Sequence, residues 1–264
     1  MTASDSEFTG SIPALYDRCL GPLLFRPFAI EAAHRVHDWR PGRVLETAAG
    51  TGILTEALQR ALPQAEIIAT DLNPAMLEVA AGRVKPGHVT FQPADAQALP
   101  FDDASFDLVI CQFGVMFFPD KVKGGKEARR VLRDHGRYLA IIWDELDRNP
   151  VSHAISAALE EEFPEDPPRF LERMPFGYAD HARIESDLHQ AGFDHVEIET
   201  VELSSRVAAN DAATGMCQGS PMRAEIEALG PDALDRATIA AAHALRQFDG
   251  FDTPMSALFV TATK

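Results

Sequence analysis

A glycine-containing segment and an acidic residue beyond it carry the clearest chemistry in this sequence. Residues Val44–Gly52 join an apolar run ending at Glu46 to a helical pattern that begins near Ile53. Glycine lets the backbone approach a ligand closely and adopt dihedral angles that a Cβ would forbid. Asp71 ends the next apolar run, where a carboxylate can accept hydrogen bonds from the hydroxyls of a ribose. This pattern predicts a nucleoside site.

Further polar positions follow the next two predicted strands. Asp95 comes after strand three, and Gln112, Phe113 and Gly114 come directly after strand four. In an open α/β sheet the carboxyl ends of parallel strands meet at one edge, and ligands bind there. A polar group at each successive strand end is difficult to explain by core packing. We therefore expect these positions to share one cleft with the glycine segment.

The elements that must position these residues are predicted from apolar runs and their boundaries. Strands are predicted at residues 43–46, 66–70, 89–92, 106–111 and 138–143. Helices are predicted at residues 12–39, 53–61, 74 onward and 126–132. Asn73 is a favourable N-cap, and Pro74 suits the first turn of a helix. The alternation of strands and helices indicates a doubly wound parallel sheet.

The pattern changes after residue 143. Residues 144–190 are rich in Pro, Glu and Phe and carry helical patterns at 151–163 and 179–191. This composition is typical of an insertion over the strand ends. The remaining sequence predicts a strand at 196–203, helices at 222–229 and 233–248, and a last strand at 258–263. Residues 1–12 are predicted to fray.

The overall charge argues against one class of partner. The chain has 264 residues and a formal net charge of -16, whereas nucleic acids are bound by clustered Lys and Arg. One local basic group lies at residues 121–133, but its helical spacing is more typical of a solvated helix face. We therefore expect no nucleic-acid partner. The sequence leaves the oligomeric state open.

Cysteine usage and hydropathy predict a cytoplasmic protein without a membrane span. Cys19, Cys111 and Cys217 form no CxxC motif, so neither a disulfide framework nor a metal site is indicated. The N-terminal segment is polar and acidic, unlike a signal peptide. The longest apolar run, Phe106–Phe118, is interrupted by polar residues and is too short to cross a bilayer.

Taken together, four segments resemble class I S-adenosylmethionine-dependent methyltransferases, in the UbiE-like branch of small-molecule and ubiquinone/menaquinone-type enzymes. The segments are VLETAAGTG (44–52), ATDLNPAML (69–77), PADAQALPFDDASFDLVICQFGVMFFPD (93–120) and RRVLRDHGRYLAIIW (129–143). The match is close over residues 40–145, and residues 16–29 are similar to the family's lid helix. The resemblance implies an α/β fold with a doubly wound, mostly parallel, seven-stranded Rossmann-like sheet, an antiparallel last strand and a helical cap.

The resemblance also implies a division of the chain into parts. Residues 1–40 would form N-terminal lid helices, and residues 41–145 and 192–264 would form the methyltransferase core. Residues 146–191 would be a helical cap insertion. A small, partly apolar methyl acceptor would then bind in a pocket roofed by residues 144–190 and 205–255.

The family pattern assigns roles toward S-adenosylmethionine, whose product is S-adenosylhomocysteine. Gly50 and Gly52 would let the loop pass under the methionine portion, and Glu46 would face its amino group. Asp71 would hold the ribose hydroxyls. Ala48 stands where the pattern has its first glycine, a small-residue change that we expect to be tolerated.

The adenine and the closing segment are assigned in the same way. Leu72 and Met76 would lie beside the adenine, Asp95 would accept from its amino group, and the backbone of Ala96 would contact the ring. Gln112 and Phe113 would lie along the cofactor near the methyl donor.

Tyr16 and Arg26 would close over the amino-acid end of the cofactor, with Arg26 as partner to its carboxylate. Each could equally be a surface residue. Asp134-His135-Gly136 stands where the family usually has Pro-Gly-Gly. His135 is therefore expected to adopt an uncommon backbone conformation.

NAD binding is the alternative for the nucleotide site. Its fingerprint requires Gly or Ala at the sixth position of GxGxxG, and counting from Gly50 that position is Thr55. Glu46 would also face a pyrophosphate unfavourably, whereas it suits an ammonium group. The sequence therefore favours the methyl donor.

Methyl transfer is an in-line displacement, so the main task is to align the reactants and exclude water, an effect worth up to roughly 7–11 kcal/mol. A hydroxyl or carbon acceptor would also need a base. His153 is the first candidate because it follows strand five closely; the other candidates are His34, His37, Tyr178 and His181. Any single one of these residues is more often structural or solvated than catalytic.

A non-catalytic protein that binds S-adenosylmethionine for regulation or interaction is the alternative function. The retained acidic residues do not distinguish it from an enzyme. Among enzymes, a base-amine acceptor is disfavoured because Gln112-Phe113-Gly114-Val115 stands where an Asn/Asp-Pro-Pro-Tyr motif would be. Paired acids that would indicate a Mg²⁺-catechol site are not recognised.

Overall fold

A computed structural model describes Gly10 and residues 12–264. The predicted fraying of residues 1–12 falls largely on residues 1–9 and 11, which lie outside the described residues. The rest of the chain alternates helices and strands through its first half, as predicted.

The described helices begin with α1, Ile12–Leu15, which continues as a π-helix over Tyr16–Phe25 and then as α2, Arg26–Trp39. The α-helices that follow are α3 (Ile53–Ala61), α4 (Pro74–Arg83), α5 (Lys121–Val131), α6 (Pro150–Glu162), α7 (Phe170–Arg173), α8 (His181–Gln190), α9 (Ala209–Gln218), α10 (Met222–Ala228) and α11 (Ala233–Ala244). Short 3₁₀ turns lie at Val115–Phe117, Leu146–Arg148 and Leu245–Phe248.

The strands of the described chain form one seven-stranded sheet. They are β1 (Arg43–Glu46), β2 (Glu66–Asp71), β3 (Val89–Pro93), β4 (Phe106–Gln112), β5 (Leu132–Trp143), β6 (His195–Arg206) and β7 (Asp252–Thr263). Their order across the sheet is β3-β2-β1-β4-β5-β7-β6. The first five strands pair in parallel, and β7 pairs antiparallel with β5. The predicted doubly wound sheet with an antiparallel last strand is confirmed.

The order of the strands creates a switch point at β1. The chain moves outward from β1 to β2 and β3, and then returns to place β4 on the other side of β1. Ligands of doubly wound sheets bind beyond the strand ends at such a point. The register sets Glu46 level with Ala69 of β2 and Ile110 of β4, so the segment after Glu46 leaves the sheet between two neighbours.

Contacts divide the chain into two compact units. The sheet unit comprises residues 28–143, 178–201 and 257–264, and the helical unit comprises the described residues up to Pro27 with 144–177 and 202–256. The central strands of the sheet unit are apolar and fully buried, as parallel strands covered on both faces should be. Examples are Val44, Leu45, Val109 and Ile110.

These units differ from the predicted division, which placed residues 178–191 in the cap and 202–256 in the core. Helix α8 belongs to the sheet unit because it packs closely on α5: a Cβ on Gly125 would lie 2.8 Å from the Cβ of Ala191. The ring of Tyr138 on β5 also stacks on Phe193, with centroids 5.8 Å apart. Packing of side chains between these elements is not visible in the composition of residues 144–190.

Two predicted boundaries in the sheet unit are wrong. Helix α5 begins at Lys121 rather than 126, because Gly124 and Gly125 leave room for Phe118 and Ala191 against the helix, and this packing outweighs the low helix propensity of glycine. Strand β5 begins at Leu132 rather than 138, and its register with β4 shifts between Phe106 and Leu108.

The predicted N-terminal helix contains an irregularity that the sequence did not reveal. Pro22 lies within the π-helix, and the backbone N–H of Arg26 donates to the carbonyl oxygen of Gly21, a bond of the i to i−5 kind. Proline lacks the N–H that an α-helix requires, and π-helical segments are rare and occur mostly as single turns within α-helices. Helix α9 was also missed. In the part of the chain that is described, no helix has the length and apolar character needed to span a bilayer.

Candidate active site

Glu46 ends β1 with its side chain inside the protein. It is 1% exposed, and in the described structure its Oε2 and the Thr55 hydroxyl each make no hydrogen bond of ordinary geometry. Burial raises the pKa of Glu46 to about 8, the Asp71 carboxylate adds to the rise, and the nearby Thr55 hydroxyl opposes it. A buried carboxyl without a full set of partners is poised to receive a cation.

The segment after Glu46 is fixed to both neighbouring strands. The backbone N–H of Thr47 donates to the Ile110 carbonyl at 2.9 Å, and that of Ala49 donates to the Thr70 carbonyl at 2.9 Å. Between them Ala48 has a φ of 52°, in the left-handed region that favours glycine. This explains why the family pattern has glycine at that position, and it shows that alanine is accommodated there.

Asp71 joins the ends of β1 and β2. Its Oδ2 accepts the backbone N–H of Gly50 at 2.9 Å, and its Oδ1 accepts the backbone N–H of Asn73 at 2.8 Å. Burial raises its pKa, and these two backbone donors oppose the rise. Because a carboxylate oxygen can accept more than one hydrogen bond, Asp71 keeps capacity for hydroxyl donors of a ligand.

The predicted adenine residues surround the same strand ends. Leu72 is 61% exposed directly after the buried Asp71, whereas Met76 is 3% exposed, with its methyl group 3.8 Å from where a Cβ on Gly50 would lie. Asp95 and Ala96 follow β3 and are partly exposed. An exposed leucine beside a glycine segment suits one face of a planar base.

The end of β4 places an aromatic pair next to the glycine segment. Phe113 stacks on Trp143 with ring centroids 3.9 Å apart, and Phe28 meets both rings edge-on. The φ of Phe113 is 53°, and a Cβ on the following Gly114 would lie 2.4 Å from the Cβ of Ala48. The β4 end and the β1 loop are therefore in direct contact, and Gln112 and Phe113 border the same edge.

Three predicted site residues belong to the helical unit instead. Tyr16 stacks on Phe25 at 4.9 Å, Arg26 is exposed at the start of α2, and His153 is exposed on α6. Their roles stay predictions. Within the sheet unit, Tyr178 is buried and donates to Asp187 Oδ2 at 2.8 Å, and the ring of His37 bonds the Ala61 carbonyl.

His135 has a φ of 64°, which confirms its expected backbone conformation. The sequence did not reveal that the Thr55 hydroxyl lies near Glu46. It also did not reveal that the Gln97 side chain contacts Asp95 and Asp120. Thr55 stands where the NAD fingerprint has Gly or Ala. Its residue type argues against that fingerprint, but the sequence does not show that its hydroxyl lies beside Glu46. In the described chain, no cluster of three or more His, Cys, Asp and Glu side chains could hold a metal ion.

A family profile described as "Methyltransferase domain" matches residues 44–136. A demethylmenaquinone methyltransferase of Deinococcus radiodurans is 38% identical over 142 residues, which is 51% of this chain and 58% of that protein. A ubiquinone/menaquinone biosynthesis C-methyltransferase UbiE of Burkholderia mallei is 33% identical over 187 residues, which is 66% of this chain and 76% of that protein. The chain belongs to the UbiE-type class I methyltransferase family.

Other members of the family are matched over less of their length. Four of the curated relatives are spanned over between 43% and 60% of their own length. Solved structures agree on the fold: YcgJ of Bacillus subtilis has a TM-score of 0.58 at 18% identity, with 89% of this chain and 98% of that chain covered. A phosphoethanolamine N-methyltransferase 2 of Haemonchus contortus with bound S-adenosylmethionine has a TM-score of 0.63 at 18% identity, covering 100% of this chain and 60% of that chain.

The contrast between two glycines gives a test of the loop geometry. We expect Gly52→Ala to lower the free energy of unfolding by about 3 kcal/mol, because the new Cβ would lie 2.8 Å from the Cβ of Ala80, and a left-handed alanine is also strained. Gly50→Ala meets no atom closer than 3.8 Å and should cost only about 1 kcal/mol. Urea unfolding of both variants checks this, and equal losses would contradict the described packing.

The raised pKa of Glu46 gives a pH test. Its folded pKa of about 8 exceeds the ordinary value of 4.5. The contribution of this group to the free energy of unfolding is therefore fully present below about pH 4.5 and is lost as the pH rises toward 8. The slope is at most about 1.4 kcal/mol per pH unit. We expect Glu46→Gln to flatten this slope in unfolding curves between pH 5 and 8. The exposed Glu66→Gln serves as control, and an unchanged slope in Glu46→Gln would contradict the assignment.

Proposed function

We propose that this protein transfers a methyl group from S-adenosylmethionine to a small, partly apolar acceptor. Membership of the family supports this, and one observation carries it to this chain's own residues. The buried Glu46 carboxyl lacks a full set of hydrogen-bond partners within the described residues, and the loop that follows it is bonded at Gly50 to Asp71. That arrangement suits a ligand that brings an ammonium group and ribose hydroxyls together.

The residues present fit S-adenosylmethionine well. Glu46 would pair with the amino group of the methionine portion, and Asp71 would accept from the ribose hydroxyls while it keeps its backbone donors. Leu72 and Met76 would cover the adenine, and Asp95 would accept from the amino group of the ring. A dinucleotide fits less well because Glu46 would face a pyrophosphate, which brings neither a positive charge nor a hydrogen-bond donor to a buried carboxyl.

When bound, the cofactor supplies an electrophilic methyl group on a positively charged sulfur. The chain's own part in the reaction is to orient the reactants and exclude water. Phe113 is well placed for this because stacking on Trp143 and the edge of Phe28 hold its ring in one orientation. Buried aromatic surface at the β4 end also keeps water from the reacting groups.

We propose that the acceptor is of the quinone type, methylated on carbon. The relatives named as demethylmenaquinone methyltransferase and as UbiE C-methyltransferase support this class. The apolar residues that follow β4, among them Val115 and Met116, agree with an apolar acceptor. That the protein has no nucleic-acid partner stays a prediction from the charge of the chain.

We also propose a cytoplasmic location. Cys19, Cys111 and Cys217, all within the described part of the chain, are buried free thiols. Burial raises the pKa of Cys111 and of Cys217 to about 12, so both thiols stay protonated and unreactive. Unpaired cysteines of this kind are typical of proteins from a reducing compartment.

Ligand-dependent stability tests the cofactor assignment. S-adenosylhomocysteine at one hundred times its Kd should raise the free energy of unfolding by about 2.7 kcal/mol, and NAD at the same concentration should not. Thermal unfolding with each compound measures the difference. Stabilisation by NAD alone would reverse the assignment. Binding without transfer of a labelled methyl group to any quinol-type acceptor would instead support the non-catalytic alternative.

A variant of His153 tests the proposed base. If His153 removes a proton from the acceptor, His153→Ala should lower kcat by roughly 100-fold or more, with the affinity for S-adenosylhomocysteine unchanged. His243→Ala, also an exposed histidine of the helical unit, is the matched control. Full turnover by His153→Ala with a quinol-type acceptor would remove His153 from the mechanism.

A further inference from the structure

The side chain of Gln97 connects two loops of the sheet unit. The backbone N–H of Gln97 donates to Asp95 Oδ1 at 2.8 Å, and its side-chain Nε2 lies 3.4 Å from the same oxygen. Its Oε1 accepts the backbone N–H of Asp120 at 2.9 Å. One partly buried amide therefore touches both the loop after β3 and the start of α5.

Asp120 is the end of the segment that runs from β4 to α5. It is the N-cap of α5, and its Oδ1 accepts the backbone N–H of Lys123 at 2.9 Å. Lys121, next in the chain, donates through Nζ to the carbonyl oxygens of Met116 at 3.2 Å and Phe118 at 2.9 Å. Gln97 thus bonds Asp120, the residue at which this segment ends and α5 begins.

The rest of the loop after β3 is held by different contacts. Glu127 Oε2 accepts the backbone N–H of Leu99 at 2.8 Å. The two Nη atoms of Arg130 donate to the carbonyl oxygens of Leu99 at 2.9 Å and Phe101 at 2.7 Å. These contacts begin two residues beyond Gln97. Removing the Gln97 side chain should therefore loosen the Asp95 carboxylate and its tie to Asp120, while the backbone bonds from Ala94 to Asp71 and from Ala98 to Asp95 keep the loop folded.

We propose that Gln97 is a positioning residue of the donor site. Its backbone N–H and, at a longer distance, its side-chain Nε2 occupy Oδ1 of Asp95, which leaves Oδ2 for the amino group of a bound adenine, and its Oε1 ties this arrangement to the segment after β4. This inference rests on the proposed function, since it assumes that adenosine binds at these strand ends. The loss of Gln97 should weaken recognition of the amino group more than it weakens binding as a whole.

The test compares two ligands that differ at that edge of the base. S-adenosylhomocysteine carries the amino group, whereas S-inosylhomocysteine carries a carbonyl oxygen in its place and a hydrogen on the neighbouring N1, so it cannot donate to Asp95 from the position of the amino group. By calorimetric titration we expect Gln97→Met to lower the affinity for S-adenosylhomocysteine by about three- to tenfold, the range that one net hydrogen bond covers. The affinity for S-inosylhomocysteine should change less than twofold, so the preference between the two ligands falls.

Gln59 supplies the matched control. Its side chain also bridges backbone groups, with Nε2 donating to the Lys85 carbonyl at 2.8 Å and Oε1 accepting the Lys85 N–H at 3.3 Å, and it lies away from the strand ends on α3. Gln59→Met should leave the preference between the ligands unchanged. A merely structural role for Gln97 would make the two variants behave alike.

A second variant separates the two contacts of Gln97. Gln97→Glu keeps an acceptor for the Asp120 N–H but cannot donate to Asp95, so the Asp120 amide should stay protected from hydrogen exchange while the ligand preference falls. In Gln97→Met that protection should also be lost. A wild-type preference retained within twofold in Gln97→Met overturns this inference alone. Failure of the wild-type protein to bind either ligand overturns the proposed function and, with it, this inference.

Discussion

The arrangement of the site depends on one buried carboxylate. Asp71 accepts a backbone N–H from the β1 loop at Gly50 and another from its own strand end at Asn73. Hydrogen bonds to a charged acceptor are shorter and stronger than neutral ones. The ends of β1 and β2 are both bonded to the Asp71 carboxylate. Because Asp71 is 8% exposed, the interaction is little screened by solvent. The backbone of the glycine segment is therefore tied at Gly50 to the end of β2.

This bracing lets the chain keep strained backbone where ligand and protein must approach closely. Ala48 and Phe113 both have left-handed dihedral angles, which cost about 1–3 kcal/mol each in residues other than glycine. The cost is offset by the surroundings: Thr47 and Ala49 bond to the adjacent strands, and the Phe113 N–H donates to the Ile141 carbonyl at 2.8 Å. Both strained residues stand at strand ends next to the switch point of the sheet, where strain is most often functional.

The sequence predicts those parts of the fold that local signals decide. Strand β1 and helix α3 have the predicted bounds, because an apolar run, glycines and Pro63 mark their ends. The start of α5 was wrong because its glycines serve packing against Phe118 and Ala191, and sequence alone does not show a neighbour. At the site, the ends of the two apolar runs predicted that Glu46 and Asp71 would lie at the carboxyl ends of β1 and β2, where the structure has them. The contact between Gln97 and Asp120 could not be predicted, since it joins loops that only the folded sheet brings together.

The burial of Glu46 gives the end of β1 a property that its sequence position does not suggest. Burial raises the pKa of the Glu46 carboxyl to about 8, so a positive charge placed beside it would favour loss of the proton. Ionising a buried carboxyl costs free energy, and a ligand that brings a positive charge to it returns part of that cost. Under the proposed function, adenosine compounds that lack an amine should therefore bind less tightly than those that carry one.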